Sequence, residues 1–242
     1  MMNVVIPLAA NLFFDSTEYY YPKPLIEVHG QPIIQMVIDS LQTLPGPKRF
    51  IFILNRADDA KFHLQDTLRL VTDQNCEVVL LDGQSKGAAC SVLMAIPFLE
   101  GKNPVIIANG DQIFKTSLAP VMQDFKQRKL DAGVICFDSV HPRWAYVRLD
   151  AKGMVVEAAA KRPLTRNAIA GFYYFRDGDT FLRLTMKQIE KGAEVNGAYY
   201  VATVLNEYVL EDLKTGIFPI DNGKCHTFYS IQKIEEFQRE VG

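Results

Sequence analysis

From Phe50 to Ala108 the chain reads FIFILNRADDAKFHLQDTLRLVTDQNCEVVLLDGQSKGAACSVLMAIPFLEGKNPVIIA. Three short apolar runs stand out: Phe50-Ile51-Phe52-Ile53-Leu54, Glu77-Val78-Val79-Leu80-Leu81 and Pro104-Val105-Ile106-Ile107-Ala108. Each is too short for a helix, and their β-branched residues suit a strand buried on both faces. Between them, Ala60 to Val71 and Gly87 to Leu99 have the composition of helices. This alternation predicts a mainly parallel sheet with helices covering both of its faces.

The same reading extends outward. Upstream, Val4-Val5-Ile6-Pro7-Leu8 predicts a first buried strand. Ile33, Ile34, Val37, Ile38 and Leu41 recur at helical spacing. Pro32 is tolerated in that helix's first turn, and Pro45-Gly46-Pro47 stops it. The intervening loop, Ala9 to about Leu25, is long for a compact domain, and such loops are usually functional. Downstream, Ser117 to Lys129 predicts another helix. Around Ala132 the pattern changes to close-spaced strands at Ala132–Phe137, Ala145–Leu149, Val155–Ala158 and Ile169–Phe175. Asp150-Ala151-Lys152-Gly153 is turn chemistry for a hairpin. Helices resume at Asp179–Lys191, Tyr199–Leu213 and Ile231–Glu240. The expectation is one α/β domain over residues 1–242. In it, a βαβ half (1–131) is followed by an antiparallel insert and helices (132–242).

Composition narrows the function. The formal net charge of −2 provides no basic field to recruit nucleic acid or an anionic membrane. No apolar run approaches the roughly 18 residues of a membrane span. The apolar N-terminus has no Lys or Arg before it and no cleavage site after it, so it reads as a buried strand. Cys76, Cys90, Cys136 and Cys225 form no C-x-x-C pair, which argues against zinc. They read as reduced, mostly buried thiols of a cytoplasmic protein.

Ligands of open α/β sheets bind beyond the carboxyl ends of the parallel strands. Three segments fall there: the first loop with Pro22-Lys23-Pro24, the turn at residues 82–89, and Asn109-Gly110-Asp111. Asp111 at a strand end suits a divalent cation bridging phosphates, although Asn-Gly-Asp is also turn chemistry. Flanking prolines stiffen the backbone around Lys23 and aim an ammonium that suits phosphate charge. The alternative is a solvated loop lysine. Gly87 leaves room and free N–H groups for a base or phosphate, or is an ordinary helix-start glycine with Ser85 capping. Lys161 and Arg162, before Pro163, suit a second phosphate or a solvated turn.

Taken together, these segments resemble the sugar-phosphate nucleotidyltransferases over nearly the whole chain. The resemblance rests on Val5-Ile6-Pro7-Leu8-Ala9, Tyr21-Pro22-Lys23-Pro24-Leu25-Ile26-Glu27-Val28 and Gly30-Gln31-Pro32-Ile33-Ile34. It continues in Lys86-Gly87-Ala88-Ala89-Cys90-Ser91-Val92-Leu93 and Ala108-Asn109-Gly110-Asp111-Gln112. The second half is similar to a subgroup from capsule and surface-polysaccharide loci, often labelled nucleotidyltransferase or family 2 glycosyltransferase. Its marks are residues 141–147, Lys161-Arg162-Pro163, residues 170–174 and residues 195–201. The resemblance implies a three-layer α/β/α nucleotide-diphospho-sugar transferase fold, GT-A-like and Rossmann-like. It implies a mixed, mainly parallel sheet with a small antiparallel insert.

It also implies a reaction: a phosphorylated acceptor such as a sugar phosphate attacks the α-phosphorus of a nucleoside triphosphate, and pyrophosphate leaves. In that reading Lys23 neutralises triphosphate charge and Asp111 holds Mg²⁺. Leu8, Ala9, Ala10, Gln84, Gly87, Ala88, Asn109 and Gly110 join Lys23 around the nucleotide. Lys161 grips the acceptor phosphate, and Gly171, Asn196 and Tyr200 line the acceptor pocket. A homo-oligomer is compatible with the family.

The chain departs from the family pattern in three places. The Gly-x-Gly-x-Arg of the first loop is replaced by Ala9-Ala10-Asn11-Leu12-Phe13-Phe14-Asp15, which removes two close-approach glycines and a bidentate cation. Asp15 and Glu18 add negative charge. Tyr229-Ser230-Ile231-Gln232-Lys233 stands where the family closes with Gly-Thr-Pro-Glu-Asp, leaving Asp221 as a poor candidate for a second metal ligand. The glutamate usual before Lys161 is also absent. The departures leave three readings: a working enzyme with altered substrates, a catalytically degenerate nucleotide-binding homologue, and a glycosyltransferase using a nucleotide sugar. The last lacks its usual Asp-x-Asp, since Asp111-Gln112-Ile113 has no second aspartate.

Overall fold

The computed structural model describes residues 1–10, 12–14 and 20–241. Asn11, Asp15 and Glu18 lie outside them. The first half runs β1 (Met2–Pro7), β2 (Glu27–Val28), β3 (Gln31–Pro32), α1 (Ile33–Gln42), β4 (Lys48–Asn55), α2 (Arg56–Phe62), α3 (Leu64–Val71), β5 (Cys76–Leu81), α4 (Ala88–Leu93), α5 (Ile96–Leu99), β6 (Val105–Ala108), β7 (Gln112–Phe114) and α6 (Ala119–Gln127). The second half continues with β8 (Ala132–Asp138), β9 (Ala145–Leu149), β10 (Val155–Ala160), β11 (Asn167–Phe175), α7 (Gly178–Glu190), α8 (Val201–Leu210), β12 (Thr215–Pro219), β13 (Cys225–Thr227) and α9 (Ile231–Val241).

One mixed sheet carries the molecule, with strand order β10-β9-β11-β6-β1-β4-β5. β6, β1, β4 and β5 are parallel neighbours, as the alternating half predicts. β11 then runs antiparallel to β6 and also pairs with β8 and β9, so the insert extends the same sheet. β12 joins the edge of β8 in parallel. Because β1 is flanked by parallel β4 and β6, the direction of winding reverses at β1. That reversal opens a crevice at the strands' carboxyl ends.

Side chains alternate along the central strands with period two. Val4, Ile6, Phe50, Phe52 and Ile106 face one core, which α1, α3, α6 and α9 cover. Val5, Ile51, Ile53, Val105 and Ile107 face the other, covered by α4, α7 and α8. This is the three-layer arrangement.

Four local features differ from the sequence expectations. The single helix expected over 60–71 is two helices, broken at His63, which takes a left-handed φ of 51°. The helix expected over 87–99 is α4 and the one-turn α5, since Pro97 lacks the N–H that a continuous helix needs and sits in α5's first turn. β7, β12 and β13 are too short or irregular to have been legible. Of the cysteines only Cys136 is buried, and all of them are free thiols. Among the described residues, no helix is long and apolar enough to cross a membrane.

Candidate active site

The crevice at the β1/β6 switch point holds two adjoining cavities of about 380 and 800 Å³. Both are lined by Pro7, Lys23, Ala88, Asn109, Asp111 and Tyr200, so they form one continuous cleft. The smaller lies toward the first loop and α4, with Leu8, Ala9, Ala10, Gly87 and Gly110 on its walls. The larger lies toward the antiparallel insert, with Arg143, Trp144, Lys161, Gly171, Tyr229 and Gln232.

Lys23 opens a short 3₁₀ turn, Lys23–Leu25, after an extended Pro22 with φ −62° and ψ 145°. Its N–H donates to Leu12 O at 2.7 Å, which ties it to the first loop. The residue is only 8% exposed, and its Nζ lies 4.9 Å from the centroid of the Phe14 ring. Burial pulls the ammonium below the usual lysine range, and the Asp111 carboxylate opposes that shift. Asp111 mirrors this: burial pushes its carboxyl above the usual range, and Lys23 pulls it back. The two groups act on each other electrostatically across the cleft.

The β6 end is fixed by its neighbours. Asn109 N–H donates to Gly171 O at 3.0 Å, and the Asn109 amide donates to Gln112 Oε1 at 3.3 Å. The buried Gln112 donates to Ala170 O. Gly171 takes φ 53°, and a Cβ there would collide with Asn109 Nδ2 and Gln112 Oε1. The β8–β11 register slips at this point. Gly171 is thus the bulge residue that lets β11 pass the Asp111 turn. From the other side, Phe228 N–H donates to Asp111 O at 2.7 Å, bringing β13 and the residues after it to the cleft.

Gly87 takes φ 103°, and a Cβ there would lie 2.5 Å from Tyr199 O. Ala89 N–H donates to that same oxygen at 3.1 Å. The glycine is therefore required by the close passage of residue 199, and one amide that the sequence left free for a ligand is occupied. Nor does Ser85 cap the helix start: its hydroxyl donates to Gly87 O at 3.1 Å. Gly110 likewise makes room for Leu8, whose side chain a Cβ would strike.

At the far end, Lys161 has φ 58°, and its Nζ donates to Arg143 O at 2.8 Å. Burial lowers its pKa from the usual lysine value, with Arg143 adding to the effect. Sequence reasoning missed the wall around it. Arg143 Cζ sits 3.5 Å from the centroid of the Tyr229 ring. Trp144 meets Tyr229 and Phe137 edge-on. The string His141-Pro142-Arg143-Trp144 marked a family subgroup and carried no chemical signal of its own.

Four candidates fall elsewhere. Gln84 is exposed and lines neither cavity. Asn196 lies in an adjoining groove that shares Ala160 and Lys161 with the larger cavity. Arg162 lines that groove too and is paired with Glu157 at 3.0 Å. Asp221 lines a separate groove beside α6, so it cannot complete a metal site with Asp111.

Mg²⁺ is typically held by one or two carboxylates, with substrate phosphates and water completing an octahedron. No group of three or more His, Cys, Asp or Glu positioned to hold a metal occurs among the described residues. Asp111 is the one carboxylate on the cleft walls among the described residues. The site fits a cation only as a single protein carboxylate whose remaining ligands come from phosphate and water.

The family model described as "Nucleotidyl transferase" matches residues 18–232. No curated protein matches the chain. Among solved structures, the chain is similar to a nucleoside-diphosphate-sugar pyrophosphorylase from Vibrio cholerae RC9, with TM-score 0.84, 17% identity, and coverage of 99% of this chain and 100% of that one. A putative glucose-1-phosphate thymidylyltransferase from Bacillus anthracis gives TM-score 0.76 at 18% identity, covering 100% and 97%. The inositol-1-phosphate CTP transferase from T. maritima gives 0.76 at 14%, covering 99% and 95%. At such identities the likeness is one of fold.

Proposed function

The chain belongs to the nucleotidyl transferase family, and from that premise we propose that it joins a nucleoside triphosphate to a phosphorylated small-molecule acceptor, a sugar phosphate or a similar phosphomonoester, with release of pyrophosphate. Residues 1–131 hold the nucleotide and residues 132–242 the acceptor. The marks at residues 141–147, 161–163, 170–174 and 195–201 support a place in cytoplasmic synthesis of surface-polysaccharide precursors.

One observation carries the reading. A desolvated ammonium, Lys23, and a strand-end carboxylate, Asp111, face a single cleft at the switch point of the sheet. An acceptor phosphate oxygen attacks the α-phosphorus, the bond to the bridging oxygen breaks, and pyrophosphate departs with the electron pair. No covalent enzyme intermediate is needed, so the residues act by positioning and charge. Lys23 neutralises charge on the triphosphate. Ala9, Ala10, Gly87 and Ala88 give it a small-residue wall. Lys161 holds the acceptor phosphate, with Tyr200 lining the same cavity. Asp111 would hold Mg²⁺, which when bound supplies positive charge to the phosphates.

The lone carboxylate and the alanines in the first loop favour a second reading, nucleotide binding without turnover. Pyrophosphate release, measured with each common triphosphate against a panel of sugar phosphates and Mg²⁺, separates the two. Release that Lys23→Ala and Asp111→Ala abolish supports the enzyme. Thermal stabilisation by a nucleotide with no release from any pairing supports the binding protein. Release of free nucleoside diphosphate from a nucleotide sugar would replace both with a glycosyltransferase.

A further inference from the structure

Tyr229, in the segment after β13 that departs from the family's closing motif, helps build a cation site at Arg143 and Lys161. Tyr229 presents its ring face to the Arg143 guanidinium, with Cζ 3.5 Å from the centroid. His141 Nδ1 accepts from Arg143 Nε at 3.3 Å and from its backbone N–H at 3.2 Å. The Arg143 carbonyl accepts from Lys161 Nζ at 2.8 Å. Neither Arg143 nor Lys161 has an ion pair among the described residues, and both line the larger cavity. By contrast, the neighbouring Arg148 and Arg162 are both held by Glu157.

We propose that Arg143, stacked on Tyr229, is a specificity-determining residue that clamps the dianionic phosphate of the acceptor together with Lys161. The proposal rests on the nucleotidyl-transfer reading for the identity of the acceptor. The chemistry is direct. A guanidinium presents donors in a planar fork that matches two phosphate oxygens, while the lysine adds a point charge. Stacking fixes the plane of the fork without consuming its donors, which a carboxylate partner would do. Tyr229 is then a positioning residue. Two unpaired cations on one rim select a phosphomonoester over a neutral sugar.

Trp144 is the chain's one tryptophan. It lines the same cavity, in edge contact with Tyr229. Its fluorescence therefore reports on this rim without any need for turnover. The test titrates inorganic phosphate, and then ribose 5-phosphate against free ribose, into the full chain. The phosphates are expected to give a saturable change, and ribose none. Arg143→Gln should weaken the phosphate response at least tenfold and Arg143→Lys by less. Tyr229→Phe should keep the response and Tyr229→Ala should weaken it, with melting temperatures checked for every variant. A response unchanged in Arg143→Gln, or lost in Lys23→Met while retained in Arg143→Gln, overturns the proposal. A response that depends on Arg143 in a chain that releases no pyrophosphate leaves this clamp standing and removes only the reaction.

Discussion

At one end of the cleft a single ammonium, Lys23, sits inside the fold and shares the cleft with a single carboxylate, Asp111, whose charge acts on it through space. At the other end two cations, the half-buried Arg143 and the exposed Lys161, share a rim and have no ion pair among the described residues. The first arrangement is internally neutral. Burial disfavours the charged form of each and the other's charge opposes that shift, so removing one leaves the desolvation of the other unopposed. The second is a standing positive field kept in place by a ring face and a backbone carbonyl. Its members can be removed without stranding a buried charge. The Lys23–Asp111 end should therefore answer mutation in turnover, and the Arg143–Lys161 end in affinity for an anion.

Asp111→Asn is the strongest way to break this contrast. Turnover should fall about 10²–10³-fold, with KM for the acceptor changed little. Steady-state kinetics with pyrophosphate as the readout check it. A variant that lost only acceptor affinity would show that the two ends do not divide the work as described.

Gly171→Ala tests whether the ends are mechanically joined. The new Cβ would strike the Asn109 and Gln112 amides at a residue held at φ 53°. The loss should be about 2–3 kcal/mol of stability, read as a drop of about 5–10 °C in melting temperature. Because Asn109 anchors the Asp111 turn and Gly171 lines the larger cavity, both KM values should rise with it. A variant that melts normally would show that the bulge can relax.

How far the sequence could be read follows from which interactions are local. The parallel half was legible because the centres of β1, β4 and β6 are buried on both faces and therefore apolar, and β5 beside them keeps a β-branched, apolar run. That Lys23 and Asp111 would meet at one cleft was legible because a strand end and two flanking prolines are local signals. The purpose of Gly171 was not legible. Its φ is set by β11 passing Asn109 and Gln112, about 60 residues earlier in the chain, and nothing in Ala-Gly-Phe announces that crossing. The packing role of Gly87 was hidden for the same reason, since the close passage of residue 199 requires a glycine there. Arg143 stayed hidden because its partner, Tyr229, belongs to the motif that reads as degenerate. A motif defined by what it lacks gives no hint of what it now contacts.

Lys161→Met sharpens the contrast from the weaker side. KM for the phosphorylated acceptor should rise about 10–100-fold, the scale of one charge-assisted contact. KM for the triphosphate and the melting temperature should stay near their starting values, because partly exposed side chains contribute little to stability. Equal losses in both KM values would merge the two ends into one site.

The smallest effect is the most diagnostic of the buried pair. Turnover in this reading needs Asp111 ionised and Lys23 protonated. Burial has raised the carboxyl above its ordinary 3.8 and lowered the amine below its ordinary 10.5. The rate should therefore rise as pH climbs through the raised Asp111 value and fall as it passes the lowered Lys23 value. The plateau is then narrower on both sides than isolated groups would give. Asp111→Asn removes the acid limb from whatever activity remains. It also moves the alkaline limb to lower pH, because Lys23 loses the charge that was holding its proton. Lys161→Met, at the end without a carboxylate, should leave both limbs where they were. An alkaline limb that stays fixed in Asp111→Asn would mean that Lys23 is held by solvent instead of by its partner, and the neutral end would then be no different in kind from the cationic one.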